Sequence, residues 1–420
     1  MDILFTALKV LDKITNEKKV FSIAVNDCCK NKVGGDNRST VTTLVGCALR
    51  HYLVLKYRFS SLEEFDNKYL NSCILVASNL LFAKKISEKE SFAFLRGQIE
   101  DENHYNKAKK LIDSFVNGTP LIPEACDPNG LEYLSFRYNT PLWIVKMWRK
   151  HYGYKAMRNT LIANSKHFNN YARVNAEYIN DERFEIEHGN QFSKTDFEHF
   201  YVFNEKTGIK KTLAFIDKKI YVCPIAFEEM VKEGDADTFR GIAAFAATPN
   251  NLLSALAANL TSYVEADMIV GKQQAYFEIK REKEHYNLKN VHLYEGTPES
   301  LITCVSKKVH TMFVIPDSSN FFLLRNTPDY FIRFDQNSLD EIIANQEKAL
   351  DESSKFVEDD GYLVYAVATL SEKETRGMIN KFLGAHKEFR LVKENLIFPF
   401  THYDTSMYYA VLRKVATPND

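Results

Sequence analysis

Three groups of residues in this chain have types and spacings from which chemistry could be built. The first is its thiols. Cys28, Cys29, Cys47, Cys73, Cys126, Cys223 and Cys304 are scattered and odd in number, and they form no Cys-x-x-Cys or Cys/His grouping. That argues against a zinc site or a disulfide framework and for reduced thiols in a cytoplasm. Cys304, in "LITCVSKK", is a candidate nucleophile or a core thiol between apolar flanks, and Cys223, in "YVCPIAF", reads as core. The second group is "VIPDSSN" at 314–320, where Asp317 precedes Ser318 and Ser319. An acid there serves a reaction, or, at the end of a strand, caps a helix or lies in a solvated loop. The third is Trp143 and Trp148 interleaved with Lys146, Arg149, Lys150, Lys155 and Arg158. At helical spacing the tryptophans anchor a core and the cations form the outer face, a candidate for phosphate contact.

These residues need elements to position them. Residues 1–120 read as all-helical. "MDILFTALKVLDKIT" is amphipathic, "STVTTLVGCALRHYLVLKYRF" takes Ser39 or Thr40 as its N-cap, and "YLNSCILVASNLLFA" is apolar enough to lie centrally in a bundle. "NKAKKLIDSFVNG" stops at Gly118, and the proline-rich stretch 119–130 marks a boundary. A second helical unit opens with Thr140 as N-cap and Pro141 at the first helical position, and Gly153 closes its helix. Short β-rich runs follow: "YARVNAEYI", "EHFYVFN" and "KKIYVCPIAF". From about 238 onward, strand-like runs ("TSYVEAD", "NVHLYEG", "HTMFVIPD", "GYLVYAVA") alternate with helical ones, and "MYYAVLRK" reads as a final strand. That rhythm predicts a doubly wound, largely parallel α/β sheet.

Composition sets wider bounds. With 420 residues, 45% apolar and 26% charged, the chain is long enough for two to three domains. Its net charge of −1 removes any global electrostatic argument for nucleic acid, so only a local basic face could supply one. Asp2 stands where a signal peptide carries positive charge, and no apolar run approaches the roughly 18 residues of a membrane span.

The local sequence adds a resemblance. "YNTPLWIVKMWRKHYG" followed by "YARVN", and "NTPDYFIRFDQNSLDEIIANQEKAL" leading into "GYLVYAVATLSEKE", resemble the Sun/RsmB-type RNA cytosine-5 methyltransferases. The stretch at 38–50, "RSTVTTLVGCALR", and "FVNG" at 115–118 resemble the NusB-like RNA-binding domain of the bacterial ribosomal members. The likeness runs from near residue 5 to residue 414. It implies three parts: an all-α NusB-like bundle over 1–127, a small helical plus α/β linker domain over 128–236, and a doubly wound Rossmann-like methyltransferase domain over 237–416. It also implies S-adenosylmethionine as cofactor, small-subunit ribosomal RNA as partner, no membrane, no DNA, no metal and a monomer in the cytoplasm.

In that family a thiolate attacks C6 of cytosine and a second cysteine helps release the product, a covalent route that only a thiolate serves near neutral pH. The attacking cysteine sits in a Tyr-Ser-Thr-Cys-Ser-Leu run. Here the run is Tyr365-Ala366-Val367-Ala368-Thr369-Leu370, with Tyr365 read at the turn from strand to loop. The other lies in Asp-Ala-Pro-Cys-Ser-Gly, which is here Val314-Ile315-Pro316-Asp317-Ser318-Ser319. The family's Asp-Leu-Cys-Ala-Ala-Pro-Gly-Gly-Lys-Thr cofactor loop becomes Ala244-Phe245-Ala246-Ala247-Thr248-Pro249-Asn250-Asn251-Leu252-Leu253. Pro249 and Asn250 are the remaining cofactor-loop candidates. Asp267, or alternatively Glu265, is the candidate for the ribose hydroxyls, and the acid after the third strand maps to Thr297. Arg173 and Asn175 match a family RNA-binding motif, or serve a buried hydrogen bond, and Lys146, Arg149 and Lys150 are the other RNA-binding candidates. Losses at every chemical motif, with the scaffold spared, imply a body that no longer methylates and acts as an RNA-binding, ribosome-assembly protein. An active methyltransferase with a different site, and a protein-interaction module, remain as alternatives. If Asn250 and Asn251 crowd the loop and Leu252 and Leu253 pack inward, the crevice should be narrower and more apolar than a working one.

Overall fold

The structure, a computed structural model, describes residues 2–29, 35–166, 169–205, 208–235, 241–247, 251–259, 265–305, 307–325 and 327–415. The chain divides into two compact units. One comprises Met1–Lys166 with Leu323–Gln336, and the other His167–Phe322 with Asn337–Asp420. The division at 166/167 falls inside the 128–236 segment that the sequence treats as one part.

The first unit is helical. Asp2 caps the helix Ile3–Thr15 by accepting from the Leu4 and Phe5 amides, and one stripe (Leu4, Ala7, Val10, Leu11, Ile14) enters the core. The helix Leu70–Ser78 is buried on every side except at Asn71, as expected of a central element. Two start signals are corrected. The third helix spans Gly35–Arg50, so Ser39 and Thr40 lie inside it. The Ser39 carbonyl accepts from Thr43 Oγ1, which is what a helix-interior carbonyl one turn back does. The helix Leu142–Asn164 starts one residue later than read: Pro141, not Thr140, offers the first free carbonyl, to Ile144 and Val145. Gly153, at φ 79 and ψ 169, breaks that helix into two segments rather than ending it, and Gly118, at φ 101, follows the end of Glu102–Val116.

Residues 323–336 complete this unit from far along the chain. Phe331 and Ile332 pack on the helical core. Asp329, fully buried, accepts from the Phe21 amide at 3.1 Å and pairs with Arg333 at 2.5 Å, while Lys18 donates to the Ile332 carbonyl. Phe334 stacks on Trp143. Trp148 is a core anchor as expected, and Lys146, Arg149, Lys150, Lys155 and Arg158 are exposed.

The second unit holds two sheets among the described residues. Strands β1 (Asn170–Val174), β2 (Phe192–Lys194), β3 (Phe200–Phe203) and β4 (Ile220–Val222) form an antiparallel sheet in the order β2-β3-β1-β4. The large sheet comprises β5 (Ile242–Ala246), β6 (Ala266–Val270), β7 (Val291–Glu295), β8 (Val309–Ile315), β9 (Val357–Val367), β10 (Phe389–Ile397) and β11 (Met407–Lys414). Its order is β10-β11-β9-β8-β5-β6-β7, with β5 to β9 parallel and β11 pairing antiparallel with both β9 and β10. Every residue of β5 and β8 is buried, as strands covered on both faces must be. The doubly wound expectation holds: the chain builds outward from β5 through β6 to β7, then returns to β8 and builds the other way. No helix among the described residues is long and apolar enough to cross a membrane.

Candidate functional site

The reversal of winding between β5 and β8 defines where a ligand would sit. In open α/β sheets the helices on either side of such a point diverge, leaving a crevice at the carboxyl ends of the strands. Here Ala246, Val270, Glu295 and Ile315 lie level in register and mark the rim. Pairing continues one step beyond it, with the Ala247 amide donating to Ile315 O at 3.0 Å and the Gly271 amide to Ala246 O at 2.9 Å. Gly271 suits this close approach, because a Cβ at this position would stand 3.2 Å from the Ala247 Cα. Leu252 and Leu253 are fully buried in the sheet's core.

One ion pair crosses this rim. Lys272, two residues beyond β6, reaches Asp317, two residues beyond β8, at 2.5 Å. β5 lies between those strands, so their ends stand about 10 Å apart, two strand spacings. The pair therefore spans the mouth of β5. Both groups keep solvent contact, with side-chain exposures of 55% and 34%.

Beneath the Asp317 loop lies a buried polar network. Glu374 is fully buried, and its Oε2 accepts from the Ser319 amide at 2.8 Å and from Gln346 Nε2 at 3.0 Å. Burial pushes its carboxyl above the ordinary value near 4.5, against hydrogen bonds that lower it. Gln346 also donates to the Asp317 carbonyl, Tyr365 donates to Gln346 Oε1 and to the Glu374 carbonyl, and Ser319 Oγ meets Thr369 Oγ1 at 2.7 Å. Tyr365 thus lies inside β9, two residues short of its end and wholly buried, and is not at a turn.

The two motif positions come together. Asp317 and Ala368 each lie three residues beyond the paired Val314 and Tyr365 on adjacent parallel strands. Asp317 does not cap a helix: its Oδ1 accepts from the Ser318 amide and its Oδ2 takes Lys272. Asp267 is corrected. The strand read as 261–267 runs over Ala266–Val270, where Met268, Ile269 and Val270 are buried. Asp267 pairs in register with Ala243 and His292, near the amino end of the sheet and three steps below the rim. Its carboxyl is raised by burial and contacts Tyr294, so the end of β6 carries Gly271 and Lys272 instead of an acid. Glu265 precedes the strand and pairs with His292. Pro249 and Asn250 lie outside the described residues. Cys223 is wholly buried, its thiol pushed well up by desolvation, and Cys304 packs against the core beside Tyr294; neither is at the end of β8 or β9.

The RNA candidates divide. Arg173 and Asn175 are interior: Arg173 Nε stands 2.7 Å from Glu228, with side-chain exposures of 13% and 4%, and Asn175 donates to Lys218 O. Both are buried beside the small sheet, the setting that the buried-hydrogen-bond alternative for these residues describes. Lys146, Arg149 and Lys150 belong to the other unit and make no ion pair with a carboxylate among the described residues. No group of three metal-ligating side chains occurs among the described residues. Lys272 was not foreseen; its signal was a basic residue directly after the apolar run "MIVG".

This strand order, crevice and helical unit define the class: a Rossmann-like methyltransferase fold with a helical N-terminal part. No protein-family model matches the chain, and no curated protein matches it in sequence. Solved structures match in fold. The protein PH0851 is 16% identical with a TM-score of 0.74, covering 99% of both chains. NSun6 from Pyrococcus horikoshii, solved with SFG, is 13% identical with a TM-score of 0.58, over 66% of this chain and 99% of its own. A methyltransferase homolog protein from Pyrococcus horikoshii is 14% identical with a TM-score of 0.57, over 69% of this chain and all of its own.

Proposed function

We propose that this chain is an RNA-binding protein built on a methyltransferase body that neither binds S-adenosylmethionine in the fold's usual way nor methylates cytosine. The observation that carries the reading is the Lys272–Asp317 pair across the crevice. The residues present do not fit the cofactor. Ribose hydroxyls need an acceptor at the end of the second strand, and an ammonium stands there; Ala247 lies against Gly271 where backbone would have to make room. A sulfonium cofactor would also meet the Lys272 charge. At the two motif positions a methyl and a paired carboxylate replace the thiolates that the covalent route needs.

RNA is supported by the resemblance and by the five exposed cations of the kinked helix Leu142–Asn164. Small-subunit ribosomal RNA is the first partner to test, and an assembly role follows from that choice. Calorimetric titration of S-adenosylmethionine should give no heat at millimolar cofactor. Binding to a small-subunit RNA fragment should weaken with salt, and Lys146→Glu with Arg149→Glu and Lys150→Glu should flatten the log–log slope by about 2 to 3, at 0.7–0.9 per lost phosphate contact. Micromolar cofactor binding, or an RNA affinity indifferent to these changes, would sink the reading.

A further inference from the structure

We propose that the groove between the helix Gln273–Tyr286 and β7 is a contact site for single-stranded RNA, taking one base against Tyr276 and the neighbouring phosphates on Lys280, Lys283 and Lys289. The inference rests on the RNA-binding reading and adds to it a contact on the second unit, at the edge of the large sheet and two strands from β5. Helix geometry builds the groove. Tyr276, Lys280, Lys283 and Asn287 fall at i, i+4, i+7 and i+11, one stripe of that helix. Asn287 ends it in the left-handed conformation, φ 55 and ψ 41, and turns the chain so that Leu288 and Lys289 line the same groove. Leu293 of β7 completes the lining, and Tyr276, Leu288 and Leu293 pack on the core as an apolar floor. The volume is about 290 Å³, near the lower end for ligand pockets and enough for one base.

The charges suit a phosphodiester chain. Lys280, Lys283 and Lys289 make no ion pair with a carboxylate among the described residues, whereas Lys219, Lys232 and Lys381 of the same unit each hold one within 2.8 Å. A helix C-terminus gives lysines a use of its own, donating to the last carbonyls. Here the Lys283 and Glu284 carbonyls already accept from the Leu288 and Asn287 amides. Glu282, beside Lys283 in sequence, reaches inward to Ser254 Oγ, which donates to it. Glu284 lines the groove and offsets one lysine, so two positive charges remain. The positive field continues past the helix end: burial, with the Lys218 and Lys210 charges, holds the His285 ring below its ordinary value near 6.5, against a hydrogen bond with Phe215. From Tyr276 to Asn287 is roughly 16 Å of helix, so the cations are strung along a line, as a chain of phosphates is and a free anion is not.

The experiment follows the anisotropy of a fluorescein-labelled uridine hexamer titrated with the full chain over a salt series. Lys280→Glu with Lys283→Glu and Lys289→Glu should lower the log–log slope by about 2, at roughly 0.7 per phosphate contact on a single strand. The same three changes to glutamine, milder for the fold, should lower it alike, and the three changes to arginine should keep it. Tyr276→Leu should weaken binding about five- to a hundredfold, and Tyr276→Phe should not, because the stacking face remains. Far-ultraviolet circular dichroism checks each variant's fold. An affinity and slope unmoved by the lysine changes overturn the site and leave the proposed function standing. So does a wild type that ignores the hexamer yet binds the small-subunit fragment. A slope that falls while Tyr276→Leu binds like the wild type and polyglutamate competes as well as the hexamer also overturns it, and marks the groove as a seat for an acidic protein. A wild type that binds neither the hexamer nor the small-subunit fragment overturns both readings.

Discussion

Glu374→Gln tests the buried network under the crevice and should stabilise the protein increasingly as pH rises. Glu374 accepts two hydrogen bonds on Oε2 and is fully buried. The charged form is therefore disfavoured, and the folded carboxyl titrates above its ordinary value near 4.5. The sign follows from linkage. A carboxyl raised in the folded state contributes its full share below the unfolded value, and loses it as pH climbs from there to the folded value. Over that window the wild type loses up to about 1.4 kcal/mol per pH unit relative to a side chain that does not titrate. Glutamine keeps the shape and the acceptor for Ser319 while removing the charge. Urea denaturation of both proteins from pH 4.5 to 8 should show curves that diverge with that slope and then run parallel above the folded value. Parallel curves throughout, or a wild type that gains on the variant as pH rises, would refute the account of Glu374 as a desolvated acid.

Restoring thiols at both motif positions, as Asp317→Cys with Ala368→Cys, should not restore methyl transfer to small-subunit RNA, because the cofactor loop and the end of β6 remain unsuited; tritium transfer above background would contradict this. Arg173→Ala should destabilise the second unit by about 1–3 kcal/mol, because it strips one partner from the buried Glu228 while Lys232 stays at 2.8 Å. RNA affinity should be unchanged at temperatures where the variant stays folded, and a selective loss of affinity without loss of stability would return Arg173 to the RNA surface.

Much of the architecture was legible because it rests on periodicity. The central helix Leu70–Ser78, the final strand and the alternation after 238 all follow from where apolar residues fall. The failures have local causes. "TSYVEAD" looks like a strand because Tyr263 and Val264 suit one, yet the buried run is Met268–Val270, and that offset carried Asp267 away from the rim. β10 was missed because its middle faces water and alternates with charge. A lysine after a strand reads as solvated surface, so Lys272 could be recognised only once β6 and β8 were known to flank β5. The motif positions Asp317 and Ala368 could be read from the sequence, but their placement together at the ends of β8 and β9, and the Lys272 partner, are tertiary facts.

The return of residues 323–336 to the helical unit has a consequence for how the protein is made. Phe331, Ile332 and the Asp329 acceptor for Phe21 leave the ribosome long after the helices they complete. From Lys166 to Gln336 is 336 − 166 = 170 residues, roughly 8 to 34 seconds of synthesis. Through that interval the nascent helices expose the apolar ground these residues later cover. The N-terminal unit therefore cannot finish folding first and be set aside; it waits until about two-thirds of the second unit has been made. A fragment ending at Lys166 should be sticky in a way the whole chain is not, and expression of the helical unit alone calls for the 323–336 segment supplied in trans or grafted behind it.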